Sequence, residues 1–537
     1  MSDSVFWAKQ TLSTTLANAA RDRLAQEALV ISGRRMTYAQ LWKSVQQVAA
    51  ALHAAGVRRG DHVGVCMGNS IEWATFFYGA AALGAVTVPV NTRFKADEFE
   101  YCLKQADVKL LFVIDRFLKI DFIDMLRGMC PALDDKLPDA KLPLLDNVIV
   151  LGDDVPRAAQ SYADFLARGA GMGDLPLAAV QSDDVLLMQF TSGTTSYPKG
   201  VMLTHDNMLR NAAYIARRFD CRAGDRYFSA RPFYHVAGST LSLLAALTSG
   251  ACLSSSATFD PGEALRVMSE EKCTLTSGND TMFLMQLNHP DFDKYPLTLR
   301  GGWVSCSVEV TQQIIARMGM RGLTQAYGLS EASPNVCMSY YTDDLEKRIN
   351  GWAHILDDVE VRIVDPQSNA DLPPGASGEI LVRGWSVMKG YYKMPEQTAK
   401  AIDKDNWLHT GDLGVMDDAG RLRYLTRIKD VFRVGGENVA PAEVEDVLHK
   451  HPKIKQAQVI GVPDPRLIEV PAAYVILREG EQATPEEIIA WSKERLANFR
   501  VPRYVKIIDS FEHYGMTGSA KVQKNKLRAQ ALLDFKL

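Results

Sequence analysis

Apolar positions recur at helical spacing at Leu41, Val45, Val48 and Leu52, behind Thr37-Tyr38-Ala39-Gln40, which has capping-box form, and the run stops at Gly56. The pattern predicts a helix and then, after the Gly60-Asp61 turn, a strand at His62-Val63-Gly64-Val65-Cys66. Asn69-Ser70 can cap a second helix reaching Gly84. Val86 to Val90 is a second strand, Asp97 opens a third helix, and Val108 to Ile114 supplies a third strand. Such alternation is the signature of a parallel sheet covered by helices. The stretch from Met125 to Val180 has no clear period and reads as loop-rich.

Order resumes at Asp184. Met208, Leu209, Ala212, Ile215, Ala216 and Phe219 form one helical face. Strands are expected at 226–230, 251–253 and 273–276, and helices at 241–247 and 261–271, so a second α/β half follows the first. Further on the texture changes to short alternating strands at 359–364 and 379–382, a small β-rich subdomain. After Arg427-Ile428-Lys429-Asp430 come helices at 442–450 and 485–497, the latter capped by Thr484 with Glu487 completing the box, and strands at 458–462, 472–477 and 504–508. They form a separate α+β unit, and no fixed-period repeat is present.

Composition narrows the function less than the pattern does. At 537 residues the chain needs at least two cores, and a net charge of −4 gives no reason to expect a nucleic acid or an anionic membrane as partner. The 8 cysteines are scattered singly without metal-ligand spacing, which suits a reducing compartment, and a cytoplasmic location is expected. The first residues lack the basic start and apolar run of a signal peptide, and the apolar region from Val236 to Leu253 is too interrupted by Ser and Thr to span a membrane.

Chemistry concentrates in a few glycine-punctuated stretches. Thr191-Ser192-Gly193-Thr194-Thr195-Ser196-Tyr197-Pro198-Lys199-Gly200, between two apolar runs, crowds hydroxyls and unhindered backbone N–H groups beside a mobile cation, as a phosphate-gripping loop requires. It is not the Walker spacing, because the lysine comes late, after a proline. Tyr327-Gly328-Leu329-Ser330-Glu331 joins an aromatic face able to stack on a base to a hydroxyl and a carboxylate fit for Mg²⁺. Asp412 is an acceptor suited to ribose hydroxyls, Arg427 can anchor a phosphate or a ribose, and Gly435-Gly436 opens a flexible loop after it. Taken singly, Tyr327, Glu331 and His235 are ordinary core or surface residues; their ordered co-occurrence is the signal.

In this order, and with Pro232-Phe233-Tyr234-His235, Gly390-Tyr391-Tyr392 and Lys521-Val522-Gln523-Lys524 added, the motifs resemble the adenylate-forming superfamily of acyl-CoA synthetases, peptide-synthetase adenylation domains and firefly luciferases. The resemblance spans nearly the whole chain. It implies a large N-terminal domain (1–428) that binds ATP and the acyl group, and a small mobile C-terminal domain (429–537). By resemblance, Thr191, Ser192, Gly193, Thr194, Thr195 and Lys199 hold the β- and γ-phosphates, with Thr195 and Glu331 at the Mg²⁺. Tyr327 and Gly328 face adenine, Ser330 meets the α-phosphate, and Asp412 and Arg427 hold the ribose. Lys521 is then the adenylation lysine, Lys429 the hinge, Gly435 and Gly436 the loop that faces the site after the swing, and His235 the gate of the thiol path.

Departures from the pattern bear on the acid. Gly301-Gly302-Trp303-Val304-Ser305-Cys306-Ser307 stands where the family places a proline-containing loop against adenine and the acyl pocket, so Trp303 and Ser305 are expected to contact substrate and Trp303 to block a long straight tunnel. Asn279-Asp280 falls where Val-Pro is frequent. The expected activity is ATP-dependent ligation of a medium-sized hydrophobic carboxylic acid (medium-chain, alicyclic or aryl) to CoA through an acyl-adenylate; a homodimer is compatible with it. The alternatives are an adenylating enzyme that loads a carrier protein and a non-catalytic nucleotide-binding homologue.

Overall fold

The computed structural model describes residues 7–171, 180–191, 198–435, 437–515 and 522–537. The first predicted helix forms as Tyr38–Ala54, with Thr37 and Gln40 exchanging the two capping-box hydrogen bonds, and it buries Leu41, Val45, Val48 and Leu52. Each of those four side chains contributes roughly 1.5–3 kcal/mol of transfer free energy. The helix packs on Ile71–Ala82, capped by Ser70. Gly79 permits the close approach, since a Cβ there would lie 2.7 Å from Val48 Cγ1.

Two large sheets carry the chain up to Arg427. In one, the spatial order is Lys199–Thr204, Val185–Thr191, Val86–Pro89, His62–Cys66, Val108–Ile114, Asn147–Leu151, Gln160–Ser161, parallel except for the first strand. The other is a 13-stranded path. Its pivot is Gly322–Gly328, whose first half pairs in parallel with Gly301–Ser305 and whose last residues pair antiparallel with Asn335–Met338. The β-rich strands Val359–Val364, Ser377–Gly384, Leu408–Met416 and Arg421–Arg427 therefore continue the second α/β half as one hydrogen-bonded path rather than forming a sheet of their own.

Residues from Phe432 onward build a further sheet, Glu437–Val439, Phe432–Val434, Ile468–Leu477, Ile454–Asp464, with Tyr504–Ile507 on the second edge of Ile468–Leu477. Helices Pro441–His449, Pro485–Lys493 and Lys524–Asp534 belong to this unit, and a hydrophobic cluster running from Phe432 to Ala531 draws on no earlier residue.

Several expectations need correction. The stretch taken as loop-rich holds the strand Asn147–Leu151 and the helices Phe122–Met129 and Tyr162–Arg168. The helix after Thr484 stops at Lys493, four residues short of 497, and the predicted 241–247 helix is a π-helical turn, Ser239–Leu244, running into Ala245–Ser249. The segment at Gly301, expected as a loop, is a strand. Among the described residues no helix is long and apolar enough to cross a membrane, and all eight cysteines are free.

Candidate active site

The hairpin Val185–Thr191/Lys199–Thr204 pairs Thr191 with Lys199 and Phe190 with Gly200, so the phosphate-gripping stretch springs from a fixed two-strand base. Ser192, Gly193, Thr194 and Thr195 lie outside the described residues, as do Gly436 and Lys521. The Thr191 hydroxyl is buried without a hydrogen-bond partner at the rim of that base. An orphaned hydroxyl is costly unless a ligand meets it, and a polyanion would.

A second segment straps the base to Glu331. Tyr392 N donates to Gly200 O (2.8 Å), Met202 N to Gly390 O (3.0 Å), Lys389 N to Met202 O (3.0 Å) and Met388 N to Glu331 O (2.9 Å). The strap sets Tyr391 between two charges: its hydroxyl donates to Glu331 Oε1 (2.9 Å) and its ring carries the Lys199 ammonium 4.0 Å from the centroid. Burial lowers the Lys199 pKa from its ordinary value while Glu331 pulls it back up, and burial followed by Glu331 raises that of Tyr391. Tyr391 thus touches a cation with its ring face and a carboxylate with its hydroxyl, which brings Lys199 and Glu331 to one side chain. The sequence did not reveal these contacts of Tyr391.

Beyond Glu331, the turn Ser330–Ala332 follows Gly328, where a Cβ would fall 1.9 Å from Pro334 O, so only glycine fits. Ser330 is buried. The Tyr327 hydroxyl donates to Asp412 Oδ2 (2.9 Å), and its ring stacks on Tyr424 with centroids 5.1 Å apart and planes at 11°. Asp412 and Arg427 are register partners across their hairpin, with Arg427 Nε 3.2 Å from Asp412 Oδ1. Asp412 is buried while Arg427 reaches solvent, so the pair exposes a guanidinium backed by a sunken carboxylate. Lys429 sits in the turn Ile428–Asp430, its pKa lowered by burial and then by Arg427. Gly435, at φ +57, turns the hairpin that follows and donates its N–H to Leu467 O (2.8 Å).

The remaining candidates lie on the side of the second sheet. His235 caps a helical turn, its Nδ1 accepting from Ala237 N (3.1 Å), which leaves the proton of the neutral ring on Nε2. Burial, then Arg231, pushes its pKa down to about 4, so the ring is neutral at pH 7. Trp303 is buried within Gly301–Ser305, its Nε1 donating to Tyr227 Oη (2.8 Å), whereas Ser305 is exposed at the strand end. Asp280 is committed to Ser307, accepting from its N and Oγ, each at 2.9 Å. Arg231 and Tyr424, which no motif singled out, complete the neighbourhood.

A large α/β body followed by a compact α+β unit is an architecture shared with solved acyl-CoA ligase structures. The chain belongs to the family of AMP-binding enzymes: residues 16–392 match the AMP-binding enzyme model and residues 443–521 the AMP-binding enzyme C-terminal domain. YngI of Bacillus subtilis (strain 168) is 39% identical over 97% of this chain and 96% of its own length. The mitochondrial medium-chain acyl-CoA ligase ACSF2 of Danio rerio is 35% identical over 94% of this chain and 85% of its own. Among solved structures, the anthranilate CoA ligase AuaEII in complex with anthranoyl-AMP shares the fold (TM-score 0.89, 24% identity, 100% of both chains). ATP-bound MatB from Rhodopseudomonas palustris matches with TM-score 0.84 at 26% identity, over 98% of this chain and 100% of its own.

Proposed function

We propose that the protein is an AMP-forming acid–CoA ligase: it activates a medium-sized hydrophobic carboxylic acid with ATP and passes the acyl group to CoA. The observation that carries this reading is the Lys199–Tyr391–Glu331 cluster strapped to the hairpin base, a cation and a carboxylate brought to one tyrosine from separate segments. The full-length likeness to a named acyl-CoA ligase supports the same class.

In the first half-reaction a substrate carboxylate oxygen bonds to the α-phosphorus as the bond to the β-phosphate oxygen breaks, giving acyl-adenylate and pyrophosphate. Thr191, Ser192, Gly193, Thr194, Thr195 and Lys199 grip the β- and γ-phosphates, and Ser330 meets the α-phosphate. Tyr327 and Gly328 border adenine, while Asp412 and Arg427 take the ribose. Magnesium held by Glu331 and Thr195 would neutralise charge on the departing pyrophosphate. Lys521 bridges carboxylate and α-phosphate. In the second half-reaction the thiol of CoA bonds to the acyl carbon and AMP leaves. Residues 429–537 pivot at Lys429, withdrawing Lys521 and presenting Gly435 and Gly436 while His235 gates the thiol path. The cytoplasm is the expected compartment and a homodimer a compatible assembly.

The test is AMP and pyrophosphate release across a panel of carboxylic acids with and without CoA, on the wild type and on Lys521→Ala. Wild-type protein should form CoA thioester, and the variant should lose adenylation yet still convert supplied acyl-adenylate. Adenylation without thioester would move the reading to carrier loading, and equal loss of both steps in the variant would refute the separate role of Lys521.

A further inference from the structure

Arg231 is the most deeply buried charge near the proposed acyl pocket, with only 8% of its surface exposed. Its Nε and Nη2 are both buried and have no hydrogen-bond partner. The contact it does make is through the face of its guanidinium, which lies 4.4 Å from the Trp303 ring centroid. A cation–π contact occupies the plane and leaves the in-plane N–H groups unmet.

Local acceptors are already spent. The Tyr227 hydroxyl accepts from Trp303 Nε1 and donates within the group formed with Ser277 Oγ (2.8 Å) and Leu241 O (3.1 Å), and Ser242 Oγ lies 2.8 Å from Ser229 Oγ. The Asp280 carboxylate is bound to Ser307. Burying an arginine, which stays charged, without a counter-anion is strongly unfavourable, and its backbone is pinned so that it cannot retreat. Asn69 Nδ2 donates to Arg231 O (3.0 Å), Phe233 N donates to Asn69 Oδ1 (2.8 Å), and a Cβ on Gly238 would lie 2.1 Å from Pro232 O.

Nε and Nη2 form the side edge of the guanidinium fork, the pair that takes a carboxylate with two parallel hydrogen bonds. The same molecule uses this edge elsewhere: Arg59 Nε and Nη2 grip Asp184 at 2.8 and 2.7 Å, Arg383 grips Glu360 at 3.0 and 2.6 Å, and Arg266 grips Glu263 at 2.9 and 2.7 Å. In Arg231 that edge is empty, on a guanidinium that lies over Trp303 and close enough to His235 to act on its charge. We propose that Arg231 binds a second carboxylate on the acid substrate, so that the enzyme's preferred acid is a dicarboxylate activated at one end and held by Arg231 at the other. This specificity rests on the acid-ligase reading and narrows it. A plain alkyl or aryl acid would leave the buried fork unpaired, and a dicarboxylate pairs it.

The test compares straight-chain α,ω-diacids of graded length with the matching monoacids and ω-hydroxy acids, by AMP release, on wild type and on Arg231→Met and Arg231→Lys. Wild type should favour one diacid over its monoacid. Arg231→Met should lose about 100-fold or more in kcat/KM on that diacid, the cost of stranding one partner of a buried charge pair, while gaining on the monoacid. Arg231→Lys, a point charge without the fork, should fall between them. Without acid, the melting temperature of Arg231→Met should equal or exceed that of wild type, and the diacid should raise it in wild type only.

An unchanged diacid-to-monoacid ratio in Arg231→Met overturns the proposal. So does a lower melting temperature with equal losses on every acid, the mark of a merely structural cation–π anchor, and so does equal use of an ω-hydroxy acid. Silence of the wild type on all acids, mono and di alike, would instead overturn the ligase reading on which the proposal stands.

Discussion

Tyr391 shows how much one side chain can organise without taking part in the chemistry. Its hydroxyl fixes the Glu331 carboxylate and its ring supports Lys199, so removing the hydroxyl alone separates the two roles. Tyr391→Phe should keep the Lys199 contact but lose a hydrogen bond to a charged group, worth roughly 1.5–3 kcal/mol, and so raise the magnesium requirement and lower kcat/KM for ATP by about ten-fold or more. A magnesium titration of AMP release checks this; an unchanged magnesium dependence would count against it.

A second residue-scale expectation concerns pH. His205 is fully buried, its Nδ1 accepting from Leu12 N (3.0 Å), and burial pushes its pKa from 6.5 down to about 4. The folded state therefore binds fewer protons than the unfolded one between those values. The stability this group contributes is complete above about 6.5 and is lost as pH falls toward 4, a change on the order of 3 kcal/mol. His235 acts in the same direction. His205→Asn, which keeps an acceptor near the Nδ1 position, should flatten the dependence of melting temperature on pH between 6.5 and 4, read by calorimetry. Neither residue role was legible in the sequence, because a buried histidine and a solvated one have the same letter and the partners of Tyr391 lie 60 or more positions away.

At the scale of elements, Gly301–Ser305 is the instructive case. Read as a loop, it is a strand hydrogen-bonded on both sides, to Leu275–Asn279 and to Gly322–Gly328. Its apolar signal is diluted because two of its positions carry no side chain, yet those glycines are what let it fit. At Gly302, φ is +139 and a Cβ would lie 1.8 Å from Thr276 O. Gly302→Ala should cost about 3 kcal/mol or more and lower the melting temperature accordingly, since backbone and not a flexible side chain is in the way. Full stability in that variant would mean the strand can shift. Helices such as Tyr38–Ala54 were foreseen because caps and apolar spacing are local; parallel strands such as Asn147–Leu151, whose partner strand Val108–Ile114 is distant in sequence, were harder to see.

At the scale of the molecule, the contact of the C-terminal unit with the large body includes a like-charge pair. Asp446 on Pro441–His449 faces Glu309 on Val308–Met318, with His449, Arg423 and Glu445 also close enough to act on it. Burial first, then Glu309, raises the Asp446 pKa, and burial raises that of Asp280 across the same junction. A raised carboxyl pKa means that the docked arrangement favours the protonated form. Its contribution is greatest at low pH and is lost as pH rises through the raised value, so above that value docking carries an electrostatic penalty. Asp446→Asn should remove the penalty and hold the unit docked, seen as slower proteolysis near Lys429 and weaker pH dependence of small-angle scattering above the ordinary carboxylate range. Faster cleavage in the variant would reverse the argument.

By itself the sequence determined the order of α/β halves and C-terminal unit and the enzyme family. Those signals are local: caps, periods of 3.6 and 2, and short motifs whose chemistry sits in neighbouring letters. Only the tertiary structure decided that the β-rich strands extend the second half, that Tyr391 touches both Lys199 and Glu331, and that Arg231 is buried over Trp303 with its Nε–Nη2 edge empty. Burial and pairing are set by segments far apart in the chain, and they give an arginine, a tyrosine or a histidine a charge state and a task that its own position does not encode.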